Sequence, residues 1–184
     1  VCLNNNWGFN VGVPELLYSR RIGRSAQGSV TTPGYVDFPP ETRMLGAAKL
    51  SGKIDETWSI GILSSLTERT YATIQSDIGK RFDEEVEPLT HYGVFRTQKE
   101  FNAGKQSIGF IFTSVNRDLG KENLKDRLSN QAYTFGLDGW TFLDDDETYV
   151  VTGSVIGSYT SGTENFLLRS VFYKHLQRPS RVLV

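Results

Sequence analysis

Three arginines fall within one short stretch, Tyr18-Ser-Arg-Arg-Ile-Gly-Arg24, the densest basic cluster of the chain. A guanidinium is a planar fork of N–H donors that fits a carboxylate or a phosphate through two parallel hydrogen bonds. Tyr18, Arg20, Arg21 and Arg24 are therefore candidate ligands for an anionic group: a lipid headgroup, an acidic sugar or a smaller anion. Gly23 and Gly28 lie nearby, but no Gly-Lys-Ser or Gly-Lys-Thr follows, so no phosphate-cradling loop is expected. Trp7 offers a flat ring on which a sugar could stack, with packing against Phe9 as its alternative use.

Catalytic patterns are weaker. Glycoside hydrolysis needs two carboxyl groups about 5 to 10 Å apart. The available groups are Asp37 with Glu41, Asp55 with Glu56, and Asp144 to Glu147, all in expected loops where solvated charge is the default. No Gly-x-Ser-x-Gly elbow occurs, and Cys2 is the single cysteine, with no identifiable base beside it. No catalytic residue is assigned. Asp83, Glu84, Glu85 and Glu87 lack the spacing and glycine of a calcium loop. His91 and His175 are too far apart in sequence to suggest a metal pair. Neither a metal nor a cofactor is expected. Twenty basic against 21 acidic residues, a net charge of −1, give no general attraction to nucleic acid, and no such partner is expected.

The elements that position these residues read as strands. Residues 1–42 are punctuated by glycine, proline and asparagine and predict an irregular entry segment. From residue 43 to 184 the pattern is antiparallel β, with strands at about 43–52, 58–74, 90–102, 106–117, 131–143, 147–160 and 165–175. Ile108, Phe110 and Phe112 oppose Ser107, Gly109 and Thr113, while Tyr133, Phe135 and Leu137 oppose Thr134, Gly136 and Asp138. Alternation of this kind gives each strand one apolar and one polar face. Asn102 to Gly104 and Asp144 to Asp146 are short enough for hairpins. Residues 75–89 and 118–130 are longer, charged linkers, the second with room for one or two helical turns.

The fold class is all-β, an antiparallel meander, and two architectures compete for it. In an outer-membrane barrel the apolar face meets lipid; in a soluble β-sandwich it meets a second sheet. Several strands reach the roughly 9 to 11 residues that cross a bilayer at a tilt. Aromatics gather near segment ends, Trp58 and Trp140 among them, as in an interfacial girdle. The opposite face carries Lys49, Arg96, Asp138 and Arg169, which a watery lumen accepts more readily than a sandwich core. In a barrel, Arg20 and Arg21 would tie the entry segment to lumen carboxylates. No apolar run approaches the roughly 20 residues of a spanning helix, and no signal peptide is visible. The expectation is that the chain is cytoplasmic or that its targeting signal lies upstream.

The motifs Asn5-Asn-Trp-Gly-Phe-Asn10, Pro14-Glu-Leu-Leu-Tyr-Ser-Arg-Arg-Ile-Gly-Arg24 and Leu45-Gly-Ala-Ala-Lys-Leu-Ser-Gly52 carry a resemblance. It continues through Trp58-Ser-Ile-Gly-Ile-Leu63, Val86-Glu-Pro88, Arg96-Thr-Gln98, Thr113-Ser-Val-Asn-Arg117, Gly136-Leu-Asp-Gly139 and Gln177-Arg-Pro179. The chain resembles a bacterial envelope family whose members carry an N-terminal carbohydrate-binding module of the family-nine type and a large C-terminal domain of unknown function. Ser180 departs from the acidic residue expected after Pro179. The resemblance implies an early portion of an outer-membrane barrel, completed by the remainder of the same polypeptide. Membrane lipid and glycan are its implied partners, with surface glycan binding or transport as the role. The alternative is a soluble periplasmic or extracellular β domain that binds or hydrolyses carbohydrate.

Overall fold

A computed structural model describes residues 16, 19–30, 32–76 and 78–167. The described residues form nine strands: β1 (Tyr35–Asp37), β2 (Met44–Lys53), β3 (Trp58–Thr67), β4 (Thr70–Gln75), β5 (Arg81–Glu87), β6 (Leu89–Phe101), β7 (Gln106–Asp118), β8 (Gln131–Phe142) and β9 (Val150–Ser161). Among the described residues helix is limited to α1 (Glu122–Lys125), a turn at 164–167 and two 3-10 turns, Ser19–Arg21 and Asn102–Gly104. The protein is all-β and antiparallel. Its large sheet has the order β2-β3-β6-β7-β8-β9 and its small sheet the order β1-β4-β5. Neither sheet closes on itself: β2 and β9 each have one hydrogen-bonded neighbour among the described residues.

The hairpins have local causes. Between β2 and β3, Asp55 accepts hydrogen bonds from the Thr57 N–H (2.7 Å) and hydroxyl (2.8 Å), a side-chain mimic of a backbone turn. Between β6 and β7, Asn102, Ala103 and Gly104 all take left-handed backbone angles, of which only that of Gly104 is free of Cβ strain. Between β8 and β9, Asp144 accepts from the N–H groups of Thr148 (3.0 Å) and Tyr149 (2.9 Å).

Three expectations about elements are corrected. Residues 58–74 form two strands, β3 and β4, that belong to different sheets. The charged linker 75–89 contains β5, which pairs with β4 and runs through Pro88 into β6. The two corrections share a cause. Proline has no N–H to give a ladder, so the β3–β6 pairing ends at Thr67↔Thr90 and resumes as Thr70↔Glu87 in the small sheet. The strand expected over 165–175 begins as helix at 164–167, and 168–175 lies outside the described residues.

In the central strands β7 and β8 the polar face is the more buried one. In β7, Ser107, Gly109, Ile111 and Thr113 are buried while Ile108 is 56 % exposed. In β8, Gly136, Asp138 and Trp140 are buried while Phe135 and Leu137 are about half exposed, at 48 % and 50 %. Register carries both faces across the strands. One apolar row is Leu50, Ile62, Phe95, Phe112 and Phe135; the next is Ile60, Phe110, Leu137 and Val155, interrupted by Thr97. The most buried aliphatic cluster lies beyond the long-linker end of this sheet, where Ala72 and Ile74 of β4, Val86 of β5 and Leu124 of α1 are fully buried.

Candidate functional site

The polar face of the large sheet holds the candidate site. Arg96 of β6 pairs with Ile111 and Asp138 of β8 pairs with Gly109, so the two charges meet diagonally across β7. The Arg96 guanidinium donates to both Asp138 oxygens, Nη1 to Oδ1 and Nη2 to Oδ2, the latter at 2.8 Å. Gly109 makes this possible: a Cβ there would sit 2.6 Å from Arg96 Nη2 and 2.8 Å from Asp138 Oδ1. Arg96 Nη2 also donates to Gln98 Oε1 (3.4 Å), and Gln98 Nε2 to Glu100 Oε1 (3.3 Å). The result is a polar chain along β6 in which the Arg96 fork has a fixed orientation. The pair is well buried, with side-chain exposures of 14 % and 1 %.

Beside it, β2, β3 and β6 form a recess of about 530 Å³. Lys49, Ser51, Ser59, Arg96 and Gln98 supply its polar lining, and Leu50, Ile60, Ile62, Leu63 and Val94 its apolar part. Ser19 also lines it, which brings the basic turn Ser19–Arg21 to its rim. Among the described residues, no aspartate or glutamate lines the recess.

Of the residues named from sequence, Lys49, Arg96 and Asp138 occupy the same face. Arg20 and Arg21 are exposed, and among the described residues no carboxylate lies within ion-pair distance of either. Arg24 is exposed and lies within electrostatic range of Tyr92 and Arg117. Trp7, Tyr18 and Arg169 lie outside the described residues.

A different contact ties the entry segment to the sheet. Gln27 donates its backbone N–H (2.7 Å) and its amide (3.1 Å) to the two oxygens of buried Glu87, and the Gly28 N–H donates to the Val86 carbonyl (2.8 Å). A Cβ on Gly28 would lie 2.5 Å from that carbonyl oxygen and 2.9 Å from Leu124 Cδ2, so glycine is what lets the entry segment approach β5 and α1. Sequence reading missed this latch, since Gln27 and Glu87 are 60 positions apart. It also missed the junction where Arg69 bonds Glu85 (3.1 Å) and Asp118 (2.6 Å), tying β5 to the end of β7.

The two strand tryptophans differ. Trp58 lies on the apolar face, with its indole N–H donating to Thr97 Oγ1 (2.7 Å) and the Lys99 ammonium 5.4 Å from its ring centre. Trp140, expected in a girdle, is instead 7 % exposed on the polar face and donates to the Gly104 carbonyl (3.3 Å). Counting in twos from Asp138 puts it there, a signal already present in the sequence.

The acidic loop groups have structural duties. The Thr57 hydroxyl and N–H lower the Asp55 pKa to about 2, and the Tyr149 and Thr148 N–H groups hold Asp144 below its ordinary value. His91 sits on the apolar face with Nε2 2.9 Å from Ser64 Oγ. Among the described residues, no three His, Cys, Asp or Glu side chains are placed to hold a metal.

These features define an open antiparallel sheet whose polar face is buried over β7 and β8 and whose apolar face is partly exposed. The chain belongs to a family described as a domain of unknown function, DUF5916, whose family model matches residues 9–170. No curated protein and no solved structure matches it.

Proposed function

We propose that this chain forms part of the wall of a bacterial outer-membrane β-barrel, in an envelope protein that binds or transports glycans. The observation that carries this reading is the reversed burial: Ile108, Phe135, Leu137 and Val155 point outward while Arg96, Asp138, Thr113 and Ser107 are enclosed. Lipid accepts the first set and a watery lumen the second. No helix of the described residues is long and apolar enough to cross a membrane, so any crossing falls to strands.

Dimensions support the reading. The 13 residues of β7 extend for about 43 Å at roughly 3.3 Å each, or about 33 Å along the membrane normal at a tilt near 40°. That exceeds the roughly 25 Å apolar band of an outer-membrane barrel. The hairpin turns 54–57, 102–105 and 143–149 lie at one end of the sheet, and the small sheet and α1 lie at the other. Short turns at one end and longer excursions at the other are the profile of such barrels. The free edges of β2 and β9 would pair with further strands of the same polypeptide, since an unpaired edge of this length is an aggregation hazard.

The test is to separate outer membranes of the producing cells from soluble fractions and to detect the peptide 106–117, for the parent protein and for L137R. Recovery of the parent in carbonate-washed outer membrane is expected. At the bilayer midplane an arginine costs about 2–4 kcal/mol, so L137R should be depleted from that fraction. Recovery of both proteins only in soluble fractions would refute the wall reading and favour a soluble carbohydrate-binding domain.

A further inference from the structure

The recess on the polar face has a composition that selects among solutes. Among the described residues two cations line it, Lys49 and Arg96, and no carboxylate does, although Asp138 balances Arg96 from behind. Among the described residues Lys49 has no ion-pair partner. Arg20 and Arg21, likewise without an ion-pair partner among the described residues, follow directly on Ser19 at the rim. The charge of the described lining and its rim is therefore net positive, a balance that favours an anionic solute.

Arg96 is also pre-oriented. Of five guanidinium N–H donors, three bond Asp138 and Gln98, which leaves two on a side chain that can no longer rotate. Ser19, Ser51 and Ser59 can each donate and accept, as can the Gln98 amide. Such groups match a ligand bearing several hydroxyls, and a volume near 530 Å³ lies within the range of about 300–1,000 Å³ usual for small-molecule sites.

We infer that this recess binds a polyhydroxylated solute carrying a carboxylate or phosphate group, with Lys49 and the Arg20–Arg21 turn holding the anion and Arg96, Gln98 and the serines holding hydroxyls. The inference rests on the lumen reading only for the access of solutes to this face. Neutral solutes of the same size bind more weakly, because Lys49 and the two arginines then lose water without gaining a partner.

The experiment is calorimetric titration of the full chain, purified in detergent micelles, with trigalacturonate, glucose 6-phosphate and neutral maltotriose. At low salt at least one charged probe should bind about tenfold more tightly than maltotriose, the size expected for one charge-assisted hydrogen bond. The preferred probe tells carboxylate from phosphate recognition. K49Q should remove most of that preference, R20Q/R21Q should reduce it, and salt at 0.5 M should weaken the charged probe alone.

Equal affinity for charged and neutral probes, no binding of either charged probe, or an unchanged preference in both variants would overturn the inference. Both variants lie at exposed positions, and an unchanged tryptophan emission spectrum verifies their fold. A soluble protein that binds trigalacturonate would refute the wall and keep the site; a membrane-embedded protein that ignores both charged probes would do the reverse.

Discussion

Removal of the Asp138 carboxylate tests how the polar face is held. At 2.8 Å, opposite unit charges attract by about 6 kcal/mol at an effective dielectric constant near 20, a gain opposed by the cost of desolvating both groups. The net worth of the intact pair is therefore small, but D138A leaves the Arg96 charge enclosed without a partner. Truncating one member of a buried pair typically costs about 3–5 kcal/mol. The lower end, about 3 kcal/mol, is expected here because part of Arg96 borders the recess. The double variant R96M/D138L removes both charges and fills a similar volume, and should lie within about 1 kcal/mol of the parent. An exposed pair gives the contrast: Lys105–Asp145, at 3.0 Å with Asp145 fully open to solvent screening, should leave stability unchanged within error when broken by D145A. Reversible urea unfolding of the purified chain in micelles, followed by tryptophan emission, measures all three. Stability of D138A within 1 kcal/mol of the parent, or a loss in the double variant as large as in D138A, would refute this account of the pair.

Two further outcomes are expected. G28V places side-chain atoms against the Val86 carbonyl and Leu124, overpacking that should cost about 1–3 kcal/mol locally and release the entry segment, read as faster tryptic cleavage after Arg24. Asp55 has its folded-state pKa lowered from 3.8 to about 2 by the Thr57 hydroxyl and N–H, so its contribution is complete above pH 4 and is lost as pH falls toward 2. Amide exchange at Thr57, corrected for intrinsic rates, should be flat from pH 5 to 8 and accelerate below pH 4; in D55N the acid-dependent step should vanish.

The alternation of Ile108, Phe110 and Phe112 with Ser107, Gly109 and Thr113 predicts a strand and both its faces, and β7 has both. Such local periodicity is legible because the pleat repeats every two residues whatever the partner strand. The Pro88 break is harder to see: β5 carries five charges in seven residues, Arg81 to Glu87, and reads as a solvated linker. Yet Phe82 and Val86 face inward there and Glu85 is neutralised by Arg69. Lys49, Arg96 and Asp138 can be assigned to one side by counting. Their neighbourhood cannot, because Arg96 and Asp138 are 42 positions apart and meet through the register of two separate ladders. The Gln27–Glu87 latch lies beyond any periodic rule, since it joins an irregular segment to a strand whose own existence is masked by charge.

Pro88 also bears on how the chain assembles. In sequence, β3 and β6 are separated by everything from Thr67 to Thr90, a gap whose closure would carry the entropy of a long loop. The intervening β4 and β5 remove most of that barrier. The Ser76 N–H donates to the Lys80 carbonyl (2.9 Å) at the head of this hairpin, and pairing proceeds from Gln75↔Arg81 down to Thr70↔Glu87. From there only Glu68 and Arg69 on one side and Pro88 and Leu89 on the other separate the growing hairpin from Thr67↔Thr90. The wide pairing at the centre of the large sheet can thus form as the second half of a zipper that starts locally, and contacts distant in sequence become neighbours in time.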